Sequence, residues 1–96
     1  MELIKVSARS VPRLTAGAVA AVIRDGKKAE VQAVGAGAAN QAIKAIAIAR
    51  DYVRAEGYDL VCRPAFKIVE IGDTEKTAIQ LVVESTGEKL EAKGEV

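Results

Sequence analysis

Histidine is absent from this 96-residue chain, and with it go the commonest general base, proton shuttle and metal ligand. One cysteine, Cys62, excludes an internal disulfide and a cysteine-cluster zinc site, and suits a reducing compartment. Tryptophan is also missing, and one Phe and two Tyr are the only aromatics. The core must therefore come from Val, Ile, Leu and Ala, and base stacking on single strands has few platforms. No apolar run approaches the roughly 20 residues of a membrane span. Charges interrupt the apolar residues of MELIKVSARS, which is not the layout of a secretion signal. The expected location is cytoplasmic.

The same absences bear on catalysis. Without His the usual nucleophile–base triads are excluded. Asp51 and Glu56 form a carboxylate pair only if the end of a helix brings them together. Cys62 sits between Val61 and Arg63; Arg63 would lower the thiol pKa, but a strand cysteine reads first as a small core residue. No catalytic residue, metal site or cofactor is assigned, and the chain is read as a non-enzyme.

What is present is organised around Glu30 to Val53, EVQAVGAGAANQAIKAIAIARDYV. Glu30–Val34 reads as a strand. Gly35 and Gly37 break it, permitting a tight or positive-φ turn. From Ala39 the chain is Ala-rich and helical. Ala42, Ile46, Ala49 and Val53 form one stripe, suited to lie on a sheet, and Asn40, Lys44, Asp51 and Arg54 form the wet face. Ala45, Ile48 and Tyr52 spread along a flank, which covers either another helix of the same chain or the seam of a homodimer.

Before this unit, Glu2–Ala8 alternates as a strand. Ser10 is a candidate N-cap and Pro12 fits a first helical turn. The helix runs to about Arg24 with Leu14 or Thr15, Ala18, Val19, Val22 and Ile23 at helical spacing. Gly17 inside it suggests close packing, and Gly26 is the left-handed cap. After the second helix, Gly57 is the cap. Asp59–Ile71 is extended, with Pro64 marking an edge or bend. Gly72–Lys76 is a turn and Thr77–Glu84 the partner strand. Phe66, Tyr52 and Tyr58 are expected to pack. Residues 1–84 form one domain and 85–96 a polar, mobile tail.

The order is β-α-β-α-β-β: an α/β two-layer sandwich of the α+β class, with a four-stranded mixed sheet and both helices on one face. Lys5, Gln32, Lys67 and Gln80 are placed on the opposite face.

The strings ELIKVSARS, LTAGAVAAVIR, VGAGAANQAIKAIAIAR and DLVCRPAF, in that order, resemble the stage V sporulation protein S (SpoVS) family over roughly Met1–Glu84. That family is similar in turn to the Alba superfamily, small nucleic-acid-binding proteins of this element order that dimerise. The resemblance implies a bacterial sporulation or development regulator with an Alba-like fold. By the second, more distant step it implies DNA or RNA binding by a homodimer or tetramer.

Carried over position by position, the Alba basic loop after the first strand corresponds to Arg9 and Arg13, beside a helix start that can bind an anion. Solvated arginines serving solubility are the plainer reading. The turn before the second helix, basic in Alba proteins, here has Ala36 and Ala38, a departure that removes phosphate contacts. Asn40, Gln41 and Lys44 remain nearby as hydrogen-bond donors, and Gly35 and Gly37 would expose amides as an anion nest or serve only to make the turn. The Alba hairpin arm corresponds to a short Gly72–Lys76 tip with two acids and one base, which phosphate would repel.

Through Gly72 the chain has eleven Lys or Arg and seven Asp or Glu, a net of +4, against three and six thereafter, a net of −3. Basic charge thus belongs to the body and acid to the hairpin and tail. Three functions follow as alternatives: a nucleic-acid-binding regulator using Arg9, Arg13, Gly35, Gly37, Asn40, Gln41 and Lys44; a homo-oligomeric protein-interaction module; or a small-anion-binding domain.

Overall fold

The computed structural model describes residues 1–86. Alternating and β-branched segments form β1 (Glu2–Val6), β2 (Ala29–Ala33), β3 (Leu60–Ile71) and β4 (Thr74–Ser85), and the two Ala-rich segments form α1 (Pro12–Arg24) and α2 (Ala36–Arg54). The sheet order is β1-β2-β4-β3. β1 and β2 are parallel, and β4 runs antiparallel to both β2 and β3. The expected four-stranded mixed sheet with two helices on one face is what the chain adopts.

One sheet face supplies Val6, Val31, Leu81 and Val83 to the core, and the helices supply Val19, Ile23, Ile46 and Val53. Ala16, Ala20, Ala42, Ala45 and Ala49 are fully buried, small enough for the two helix backbones to approach closely. The α2 stripe is the expected one. The α1 stripe is met in part: Val19 and Ile23 are buried and Val22 packs against the core, but Leu14 is 74% exposed and Ala18 is exposed, while Ala16 and Ala20 are inside. The buried face of α1 runs through Ala16, Val19, Ala20 and Ile23. Gly17 faces solvent, and a Cβ there would meet nothing within 4 Å, so it does not mark close packing.

Both helices end on a glycine. Gly26 has φ +76°, its N–H donates to the Ile23 carbonyl, and the Lys27 N–H reaches back to the Val22 carbonyl. Gly57, with φ +93°, repeats the pattern: its N–H donates to the Arg54 carbonyl and that of Tyr58 to the Val53 carbonyl. These bonds satisfy last-turn carbonyls that would otherwise be orphaned.

The far sheet face carries Lys5, Gln32, Lys67 and Gln80, as expected, but mixes them with the apolar Leu3, Val69 and Ile71. Glu30, only 9% exposed, is paired with Lys67 across the sheet. Its carboxyl is held below the usual range, first by the Lys67 hydrogen bond and then by that of Gln80.

The hairpin departs most from expectation. β2 ends where Ala33 pairs with Ile79, but β3 and β4 continue, pairing only with each other to Ile71–Thr74. The turn is two residues, Gly72 and Asp73, with φ +63° at Gly72, as a tight hairpin requires. Thr74–Lys76, expected in the turn, is strand. The result is a two-stranded arm rather than a short tip. Phe66 at its base is 79% exposed and does not pack as expected; Tyr52 is also exposed, and only Tyr58 packs against the core. Ser85, assigned to the tail, ends β4 opposite Leu60. Thr86, also assigned to the tail, donates its N–H to the Asp59 carbonyl, and the rest of the expected tail, 87–96, lies outside the described residues.

Candidate nucleic-acid interface

Because β1 and β2 are parallel, the loops that follow them leave the sheet at one edge, and α1 and α2 both start there. Two contacts lock these starts together. The Gln41 side-chain amide donates to the Ser10 carbonyl at 2.8 Å. A Cβ on Gly37 would lie 3.1 Å from the Ala8 Cβ, so the residue keeps the loop close. The loop is also braced internally. The Ser7 N–H donates to Ser10 Oγ at 2.9 Å and the Arg9 N–H to Ser7 Oγ at 3.2 Å. Ser10 therefore serves the loop and not the helix; the N-cap is Val11, which has no side-chain acceptor.

Gly35 is the N-cap of α2, with φ +90° and ψ +160°. The first amide of α2 bonded within the helix is that of Ala39, to the Gly35 carbonyl, which leaves the amides of Ala36, Gly37 and Ala38 outside the ladder. Neither helix has an acid in its first turn, so the positive ends of both helix dipoles are uncompensated. The helix begins three residues before the expected Ala39. Gly37 is thereby helical and close-packed and not part of a nest; Gly35 alone makes the turn.

Arg9, Arg13 and Lys44 are exposed at this end, and none forms an ion pair with a described residue. Arg13 and Lys44 line one groove of about 490 Å³ with Val11, Pro12, Ala47 and Ile48. Asn40 is exposed on the first turns of α2, while Gln41 is committed to Ser10. The topology thus brings Arg9, Arg13, Gly35, Asn40 and Lys44 to one end. Sequence reasoning missed the apolar groove floor, which is formed by residues 35 to 37 positions apart in the chain.

At the opposite end of the helices most charges meet a partner, Arg54 excepted. Arg24 Nε donates to Glu56 at 2.8 Å, and Arg50 Nε to Asp59 at 2.6 Å. Lys27 pairs with Glu2 and Asp25. The Arg50 hydrogen bond, followed by that of the Leu60 amide, pulls the Asp59 carboxyl down to about 2.

Cys62 is half-buried in β3, and burial pushes its thiol upward. Its neighbour Arg63 is paired with Glu84 and does not activate it. Among the described residues no group of His, Cys, Asp or Glu is placed to hold a metal, and no helix is long and apolar enough to cross a membrane. The sequence profile of the family described as stage V sporulation protein S (SpoVS) matches residues 2–86, which span all six elements and both loops of this end.

Proposed function

The chain belongs to the stage V sporulation protein S family, a sporulation-associated family, and on that premise we propose that it is a non-enzymatic cytoplasmic regulator that binds nucleic acid where its two helices begin. The observation that carries this reading is the convergence of Arg9, Arg13 and Lys44, none ion-paired with a described residue, on two helix starts without acidic residues. Guanidinium groups and free first-turn amides are both suited to phosphate oxygens. Asn40 adds an amide side chain beside them. The chemistry is backbone recognition with little base readout, consistent with the scarcity of aromatics. The Alba-like order of elements supports the same reading, and a homodimer or tetramer would repeat the basic end on one assembly.

The test is binding of labelled duplex DNA and of RNA across a salt series. The intact protein is expected to bind in a strongly salt-dependent manner. Arg9→Ala with Arg13→Ala should weaken binding and flatten the slope of log K against log salt by about two units per chain. Unchanged binding by the double variant removes these residues from the site. Absence of binding at low salt moves the function to a small anion or a protein partner.

A further inference from the structure

We propose that the groove between α1 and α2 is a binding site for a free single-chain carboxylate, an acyl chain of medium length whose anionic head is held by Arg13 and Lys44. Phosphate binding uses the two cations and leaves the rest of the groove without a role. Val11, Pro12, Ala47 and Ile48 line it with hydrocarbon, and none of these four side chains can bond a phosphate oxygen. Val11 is 54% exposed and Ala47 is exposed as well, so this hydrocarbon is wet in the single chain. A ligand that is rewarded by both parts is apolar along its length and anionic at one end.

The groove is held in shape by the fold. Ile48 packs against the core, and Pro12 fixes the backbone where α1 begins. The Gln41 side-chain amide on the Ser10 carbonyl holds the two helix starts at a set spacing. The volume of about 490 Å³ falls within the roughly 300–1,000 Å³ of small-molecule sites, which combine apolar walls with a few charged or polar groups. The charges come one from each helix. Arg13 offers a planar fork that can give a carboxylate two parallel hydrogen bonds, and Lys44 adds a compact point charge. Neither is ion-paired with a described residue, so an incoming head displaces no existing partner. Among the described residues no carboxylate lines the groove, which leaves that role to a ligand.

Only the consequence for regulation rests on the nucleic-acid reading above: a head held by Arg13 and Lys44 would compete with phosphate and release nucleic acid. The site itself is tested without nucleic acid, by calorimetric titration of the full chain with hexanoate, octanoate and decanoate below their micelle concentrations. Affinity should rise about fourfold for each added methylene, the scale of burying one CH₂. Decanol, which lacks the charge, should bind about tenfold more weakly than decanoate, the scale of losing charge-assisted hydrogen bonds. Arg13→Ala with Lys44→Ala should bring decanoate down to the same level. Ala47→Phe fills the groove from its exposed side; it should remove the dependence on chain length and leave the thermal melt unchanged. Arg9→Ala, outside the groove, should leave decanoate binding in place. Affinity indifferent to chain length, decanol binding as well as decanoate, or undiminished binding to Ala47→Phe would overturn the proposal. So would affinity that falls as protein concentration rises, which assigns the groove to a second copy. Binding to phosphatidylglycerol vesicles without binding of free decanoate would overturn it in favour of a membrane surface. Decanoate binding as expected by a chain that binds no nucleic acid would keep this inference and discard only the earlier one.

Discussion

The two ends of the helical layer are built from the same kinds of residue and finished in opposite ways. Where α1 and α2 stop, Gly26 and Gly57 turn the chain back on the last carbonyls, and arginines meet carboxylates at Arg24–Glu56 and Arg50–Asp59. Where they start, Val11 and Gly35 offer no side-chain acceptor, the first turns carry no acid, and Arg9, Arg13 and Lys44 have no carboxylate partner among the described residues. The difference separates groups that complete the fold from groups left for something outside it. A basic residue is informative here by its lack of a partner more than by its charge.

Removing the open cations is the strongest way to sharpen that contrast. Arg9→Ala, Arg13→Ala and Lys44→Ala together should lower nucleic-acid affinity roughly tenfold per lost phosphate contact near 0.1 M salt. The denaturant midpoint should stay in place, since no ion pair with a described residue is broken; a fall in both would make these side chains structural. Gly35→Ala attacks the same end through the backbone. With φ +90° and ψ +160° it occupies a region nearly reserved for glycine, and the substitution should destabilise the fold by about 1–3 kcal/mol in chemical denaturation. No loss would mean that the start of α2 readily relaxes.

The paired end has a pH signature. The Asp59 carboxyl is lowered from 3.8 to about 2, so the unfolded chain takes up this proton before the folded one does. The resulting stability is present in full above about pH 4 and is lost as pH falls through about 2. Acid unfolding of Asp59→Asn should lack that increment, and an acid limb identical to the parent would discount the Arg50–Asp59 pair. The smallest effect is expected for Arg24→Ala. Its pair with Glu56 is exposed on both sides, and a denaturant melt should barely register its loss.

Element order was legible because each segment agrees with itself: alternation in β1, an Ala-rich stripe in α2, glycine at both helix ends. The convergence of Arg9, Arg13 and Lys44 followed from topology, since parallel strands send their loops to one edge. What stayed hidden depended on distant partners. Ser10 looks like a cap until Ser7 takes its oxygen, and Gln41 looks like a free donor until the Ser10 carbonyl is beside it. Gly37 reads as a turn residue, but its role is set by Ala8. Thr74–Lys76 is polar enough to pass for turn, and only the two-residue bend at Gly72–Asp73 makes it strand. Phe66 fits a core by residue type but sits on the edge strand β3 at the level where β2 ends, and is left 79% exposed.

The alanine seam between α1 and α2 has a thermal consequence. Ala16, Ala20, Ala42, Ala45 and Ala49 dock without freezing any rotamer, and the largest fully buried side chains are the valines Val19, Val31, Val53 and Val83. Little aromatic or long aliphatic surface is hidden for each residue ordered, so unfolding should release less heat-capacity increment than the usual ~12–15 cal/mol/K per residue. The free energy of this fold should then vary gently with temperature, giving a broad low dome in calorimetry.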